Sequence, residues 1–275
     1  MALTSLFVVK VGGEIARSRE LGALVHDLVE LCRAGHAVVV VHGGGPQVTE
    51  LQVKLGQTPR IVAGRRVTDA AALEVLKMGV AGVVNVDLCA ALLRAGGAPV
   101  GLHGASAHAI RARKRPPTVV AGGGDAPVDF GLVGDVVGVN EALLRMLIDA
   151  AFIPVVACLG ADEAGVIYNI NADAVASRLS CVLSASVLVL VTEVGAVLAD
   201  PSDASSRIAR LSKTEASRAI DEGKITGGMI PKLTEGFRAL EEGVPAVLVV
   251  GKLREGDLLR ALTSPGSAGT LLVGD

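Results

Sequence analysis

The chain has 275 residues, of which 51% are apolar and 20% charged, with 34 glycines. That composition supports a large packed core and excludes a disordered or fibrous chain. With 26 basic against 28 acidic residues the net charge is −2, which leaves no broad positive field to recruit nucleic acid or an anionic membrane.

Short β-branched runs alternate with longer helical patterns, the signature of a mostly parallel sheet covered by helices. Phe7 to Val11 reads as the first strand, Glu20 to Arg33 as a helix stopped at Gly35, and Ala37 to Val41 as a second buried strand. Pro46 to Leu55 is a short helix and Ile61 to Val67 is extended; Thr68 or Asp69 then caps a long helix from Ala71 to Arg94. Pro99 to Leu102 is a strand, the polar stretch to Arg115 an irregular hairpin region, and Val133 to Val139 another strand. Asn140 caps a helix from Glu141 to Ala151, and Ile153 to Cys158 is a buried strand with Pro154 at its start. Beyond a turn at Asp162 to Gly165, Asn171 or Asp173 opens a helix to about Leu183, and Val187 to Val191 is the most apolar strand. Helices from Lys213 to Asp221 and from Pro231 to Glu242 follow, then a strand from Ala246 to Val250, a short helix from Gly256 and a last strand near Leu271. At roughly 150 residues per domain the length suggests two lobes, divided as 1–165 and 166–275.

Mean hydropathy is +0.54, so a membrane protein has to be considered. The longest strongly apolar, charge-free stretch, Leu179 to Thr192, is shorter than the roughly 20 residues of a spanning helix. Met1 to Phe7 has no basic n-region, so a cytoplasmic protein is expected. Cys32, Cys89, Cys158 and Cys181 are far apart, which predicts buried thiols in a reducing compartment rather than a metal site or disulfide framework.

Three segments place glycine or polar residues just past strand ends: Lys10 to Gly13, His42 to Gly45 and Thr192 to Gly195. In an open parallel sheet that edge is where ligands bind. Three successive glycines in His42-Gly43-Gly44-Gly45-Pro46 free backbone N–H groups to face an anion at a helix start, or simply form a tight turn. Neither a P-loop nor a dinucleotide fingerprint occurs, so phosphate handling falls to lysine. Lys10 ends an otherwise apolar strand, and Lys232 begins a helix where the macrodipole disfavours a cation. Asn169 precedes the helix start at Asn171 to Asp173, and Arg66 offers a fork suited to a carboxylate.

Taken together, Val9-Lys10-Val11-Gly12-Gly13, His42-Gly43-Gly44-Gly45-Pro46-Gln47, Gly64-Arg65-Arg66-Val67-Thr68-Asp69, Asn169-Ile170-Asn171-Ala172-Asp173 and Gly227-Gly228-Met229-Ile230-Pro231-Lys232 resemble the amino acid kinase family. Within it they are similar to members that phosphorylate the side-chain carboxylate of N-acetyl-L-glutamate in arginine biosynthesis. The resemblance runs from about Phe7 to Val273. It implies a three-layer αβα sandwich whose N-terminal lobe binds the amino acid and dimerises and whose C-terminal lobe binds ATP with Mg²⁺. Gly44, Gly45, Arg66 and Asn169 would then contact the acetylated amino acid. Lys10 and Lys232 would flank the transferring phosphoryl group, with Asp173 holding both lysines. Nucleotide contacts would come from Gly12 and Gly13, from Thr192, Glu193, Val194, Gly195, Ala196 and Val197, and from Lys224, Ile225 and Thr226.

Some segments depart from the family pattern. Glu193 stands where Asp is usual, and Gly195-Ala196 replaces a variable residue followed by Gly. The segment Gly101 to His108 lacks a Gly-Lys-Asp, and the basic run Arg111, Arg113, Lys114 and Arg115 reads as a solvated hairpin face. Hexameric, arginine-inhibited members carry an extra helix before strand one, so a homodimer is expected here. Competing readings are a kinase of the same fold acting on carrier-linked aminoadipate, free glutamate or aspartate, or carbamate, and a non-catalytic nucleotide-binding sensor.

Overall fold

Neighbouring residues of the first strand enter different cores: Val8 joins one hydrophobic cluster, and Phe7, Val9 and Val11 join another. A buried strand with two apolar faces needs cover on both. The computed structural model describes residues 5–120, 124, 126–200, 202–203, 205–264 and 266–275, and it supplies that cover as the expected αβα sandwich.

The first half of the chain contains β1 (Leu6–Val11), α1 (Glu20–Arg33), β2 (Ala37–His42), α2 (Gly45–Lys54) and a ribbon of β3 (Ile61–Val62) with β4 (Arg65–Arg66). It continues with α3 (Ala70–Leu76), a π-helical stretch (Lys77–Val84), α4 (Asn85–Arg94), β5 (Pro99–Leu102), β6 (Ile110–Lys114), β7 (Gly134–Val139), α5 (Glu141–Asp149) and β8 (Ile153–Ala157). After these come β9 (Leu159–Ala161), β10 (Ile167–Asn169), α6 (Ala172–Val182), β11 (Val187–Val191), β12 (Arg210–Ser212) and α7 (Lys213–Asp221). The chain finishes with α8 (Met229–Glu241), β13 (Val247–Val250), α9 (Asp257–Thr263) and β14 (Thr270–Val273).

Eight strands form one sheet in the order β12-β14-β13-β11-β1-β2-β8-β5. Every neighbouring pair is parallel except β13 with β14. Leu144 of α5, Val175 and Leu179 of α6, and Leu233 and Phe237 of α8 cover one face. Leu24 and Leu28 of α1, Leu88 and Leu92 of α4, and Leu258 of α9 cover the other. A smaller sheet, β10-β9-β6-β7, is formed by the middle of the chain.

Asp69 and Asn171 are the caps, their side chains accepting from Ala72 N and Asp173 N. The stretch expected to be simply extended is a two-residue hairpin, because Ala63 and Gly64 both take positive φ, as a tight I′ turn requires. The long helix is interrupted by the π-helical stretch, where Gly79 lies against Val48: a Cβ there would come within 3.0 Å of Val48 Cγ2. By length and composition alone the run Ala70–Arg94 is long and apolar enough to cross a membrane, although charged residues interrupt it. Half of its apolar window is buried inside the fold, as befits a core helix.

One tie joins the two ends of the chain. Asp27 of α1 is buried, and its carboxylate accepts from Gly256 N at 2.7 Å and Leu258 N at 2.9 Å. It thereby caps α9, whose own N-cap residue is a glycine. Replacing Asp27 with Ala strips these amides of their acceptor, the Leu258 amide in a buried setting, and is expected to cost about 2–3 kcal/mol. Urea unfolding checks this, and a midpoint equal to that of the parent would remove Asp27 from the stability of the fold.

Candidate active site

The carboxyl ends of β1, β2 and β8 open into a cleft of about 1210 Å³, lined by Lys10, Gly12, Gly13, the glycines 43–45, Arg66, Cys158 and Asn169, among others. Parallel strands bring these residues together because each ends at the same edge. Lys10 shares a face of β1 with Val8, the face packed by α6. The first turn of α6 carries Asp173, and Lys10 Nζ sits 2.8 Å from Asp173 Oδ1 with both side chains mostly buried. An acid is favoured at a helix N-terminus, and a buried ammonium is tolerable only when paired.

Two glycine turns flank this pair. A Cβ on Gly44 would reach 3.1 Å from Val80 Cγ2 and 3.2 Å from Val84 Cγ2 in the π-helical stretch, so the loop lies flush on that helix. A Cβ on Gly45 would meet nothing. Gln47 joins the two turns by donating from Nε2 to Gly13 O at 2.6 Å. Beneath them His42 is fully buried, its Nδ1 2.8 Å from Gly43 O and its Nε2 2.9 Å from Asn85 Nδ2. Asn85 also donates to Val155 O at 2.9 Å, so a closed polar network supports the loop.

Arg66 is held over α2, donating to Gln52 Oε1, to Thr49 Oγ1 at 2.6 Å and to Gly45 O at 3.2 Å. Asn169 Nδ2 donates to Thr68 Oγ1 at 3.1 Å. Lys232 lies in the first turn of α8 and its Nζ donates to Gly228 O at 3.3 Å. Burial, and then the charge of Lys10, press Lys232 below the ordinary lysine value, while Asp173 and Glu193 oppose the shift. The two lysines, Asp173 and Glu193 are therefore electrostatic neighbours.

The segment after β11 stands apart from the cleft lining. Thr192 is buried and its hydroxyl is bound to Gly195 N and O, while buried Val197 donates its N–H to Thr270 Oγ1. Glu193 and Val194 are exposed, Gly195 is buried and Ala196 half-buried. Lys224 and Ile225 line a separate groove of about 180 Å³ between β12 and α7, Lys224 pairing with Glu222 at 2.7 Å, and Thr226 is exposed beside them.

The basic hairpin is only in part the expected solvated face. Arg111, Arg113 and Lys114 are exposed and Arg115 is half-buried, and Arg113 and Arg115 also border the cleft, as do Glu235 and Arg238 of α8. Along a strand, a cleft wall and a solvent face share one polar pattern, so sequence alone does not separate them. Among the described residues no group of three or more His, Cys, Asp or Glu is placed to hold a metal ion. The thiol of Cys158 is pushed up to about 11 by burial.

The model of the amino acid kinase family matches residues 5–251. An acetylglutamate kinase of Anaeromyxobacter dehalogenans is 55% identical over 98% of both chains, and one of Sorangium cellulosum is 53% identical over 98% of this chain and 95% of that one. Among solved structures, the N-acetylglutamate synthase of Neisseria gonorrhoeae, complexed with coenzyme A and N-acetyl-glutamate, gives a TM-score of 0.81 at 25% identity over 99% of this chain. This chain spans 60% of that synthase. Carbamate kinase from Giardia lamblia, bound to AMP-PNP, shares the fold at TM-score 0.70 and 15% identity over the whole of both chains.

Burial lowers His42 from 6.5 to about 4. Below pH 6.5 the unfolded chain gains a proton that the folded ring refuses, so stability is full above that pH and is lost as pH falls toward 4. The loss is on the order of 3 kcal/mol. Urea midpoints measured across this window should fall in the parent and fall less in His42→Gln; parallel profiles would contradict the buried neutral ring.

Proposed function

The chain belongs to the amino acid kinase family, and from that premise we propose that it transfers the γ-phosphoryl group of ATP to the side-chain carboxylate of N-acetyl-L-glutamate. The product is the 5-acyl phosphate, a step of arginine biosynthesis. The observation that carries this reading is the full-length likeness to acetylglutamate kinases at 55% identity. The cleft geometry supports it.

The acceptor carboxylate is ionised at neutral pH, so no general base is needed. The task is to bring one anion against another, which positioned cations and backbone N–H groups accomplish. In this reading Gly44 and Gly45 offer N–H groups at the start of α2, and Arg66 and Asn169 orient the acetylated amino acid. Lys10 and Lys232 face the phosphoryl oxygens from two sides. Asp173 aims Lys10 through the 2.8 Å pair and stabilises the charge of Lys232.

ATP takes the side built from β11 onward. Gly12 and Gly13 approach its phosphates, Thr192 to Val197 and Lys224 to Thr226 border it, and Glu193 counters the charge of Lys232. Mg²⁺ would enter with the nucleotide phosphates and offset their charge. In our reading residues 1–165 form the amino-acid lobe and carry the dimer contact, residues 166–275 form the nucleotide lobe, and the enzyme works as a cytoplasmic homodimer.

Hydroxylamine trapping of the acyl phosphate, run over acidic amino acids with and without the acetyl group, should give signal with N-acetyl-L-glutamate and ATP; signal confined to another acceptor would overturn the assignment. Lys232→Ala should lower kcat by about 10²-fold or more, with little change in KM for the amino acid. Unchanged kcat would take Lys232 out of the chemistry. Sedimentation should find a dimer, and a hexamer would refute that expectation.

A further inference from the structure

One wall of the cleft carries six charged side chains that none of the five motifs contains. Arg113, Arg115 and Asp135 come from the β6–β7 hairpin region, and Glu235, Arg238 and Glu242 from α8 and its C-cap. Arg115 directs both Nε, at 2.9 Å, and Nη2, at 2.6 Å, to a single oxygen, Asp135 Oδ1. Its fork therefore has capacity for a second carboxylate oxygen. Glu235 lies one turn beyond Lys232. Among the described residues its Oε2 is buried and accepts no hydrogen bond: Arg238 Nη1 is 4.0 Å away, and Arg238 Nε donates instead to Glu242 Oε1 at 2.8 Å.

The hairpin region and α8 already sense each other across this wall: the charge of Arg115 acts on Glu235, and that of Asp135 on Arg238. The start of α8 rests on the core through Met229, Ile230 and Leu233 but has no side-chain cap. Its N-cap, Gly228, makes no side-chain hydrogen bond, and a Cβ on Gly227 or Gly228 would meet nothing. Lys232 thus sits on a turn anchored by its apolar neighbours, while among the described residues its own ammonium is held only by Gly228 O at 3.3 Å.

We propose that Glu235 is a positioning residue: when substrates draw the cleft closed, its free oxygen takes the guanidinium of Arg115, and that bond fixes α8 so that Lys232 meets the phosphoryl group. A buried acceptor without a donor is costly to leave so, and the exchange supplies the donor. The inference rests on the proposed reaction and on the role of Lys232 in it; turnover of N-acetyl-L-glutamate by the unaltered chain decides the first separately, and the kcat of Lys232→Ala the second.

The test uses the full chain with Glu235→Gln, Arg115→Gln, both together, and Arg115→Lys. Each Gln variant should lose about tenfold in kcat while KM for the amino acid shifts less than about threefold. The double variant should be no worse than the poorer single variant, and Arg115→Lys should recover part of the loss. Single variants within about twofold of the parent, or a double loss equal to the product of the single losses, would overturn the pair. If Glu235→Gln fails to fold, Arg115→Gln against Arg115→Lys decides: equal loss in both, or none, rejects the pair. Hydrogen exchange reads the contact independently of turnover. Adding ATP and N-acetyl-L-glutamate should protect α8 amides in the parent and less so in Arg115→Gln, and equal protection would reject the proposal.

Discussion

A positive charge at the end of a buried strand constrains everything around it. Lys10 occupies a position where its strand neighbours are valines packed on both faces, and leaving that ammonium alone would cost several kcal/mol. Asp173 is the answer, and it comes from α6, whose N-terminal dipole favours an acid there. For the pair to form, the start of α6 must lie over the end of β1. The mouth of the cleft is located by that requirement, with the glycine turns after β1 and β2 left open beside it. One ion pair thus links a strand of the first half to a helix of the second.

The chemistry inferred for the cleft follows from the same economy of charge. A carboxylate acceptor needs no base, so the absence of a histidine role in catalysis is no puzzle. His42, the histidine closest in sequence to the glycine turn, is neutral and buried in a network that supports the backbone. In the proposed reaction cations and amides take that part, and the arginines of the hairpin region extend the charged lining of the cleft.

Much of this was legible in the sequence, for identifiable reasons. α1 and α7 fall at their expected limits because amphipathic periodicity and flanking signals agree. β9 and β10 are three residues each, too short for alternation to register, and β12 is equally brief. The capping of α9 by Asp27 was invisible because its partners are more than two hundred residues away, and no local pattern encodes such a contact. Lys10, Gly44, Arg66 and Asn169 stood out as oddities at strand and helix ends. Arg115 and Glu235 did not, since a charged residue on a short strand or an amphipathic helix looks ordinary until the facing wall is known.

The unbroken ladder from β5 to β12 has a mechanical consequence. β1 and β11 are zipped in parallel from Phe7↔Val187 to Val11↔Val191, so the two halves of the chain are joined through the sheet itself. Large movement between them has to be absorbed as torsion of the shared sheet, resisted by every rung, rather than as rotation about a joint.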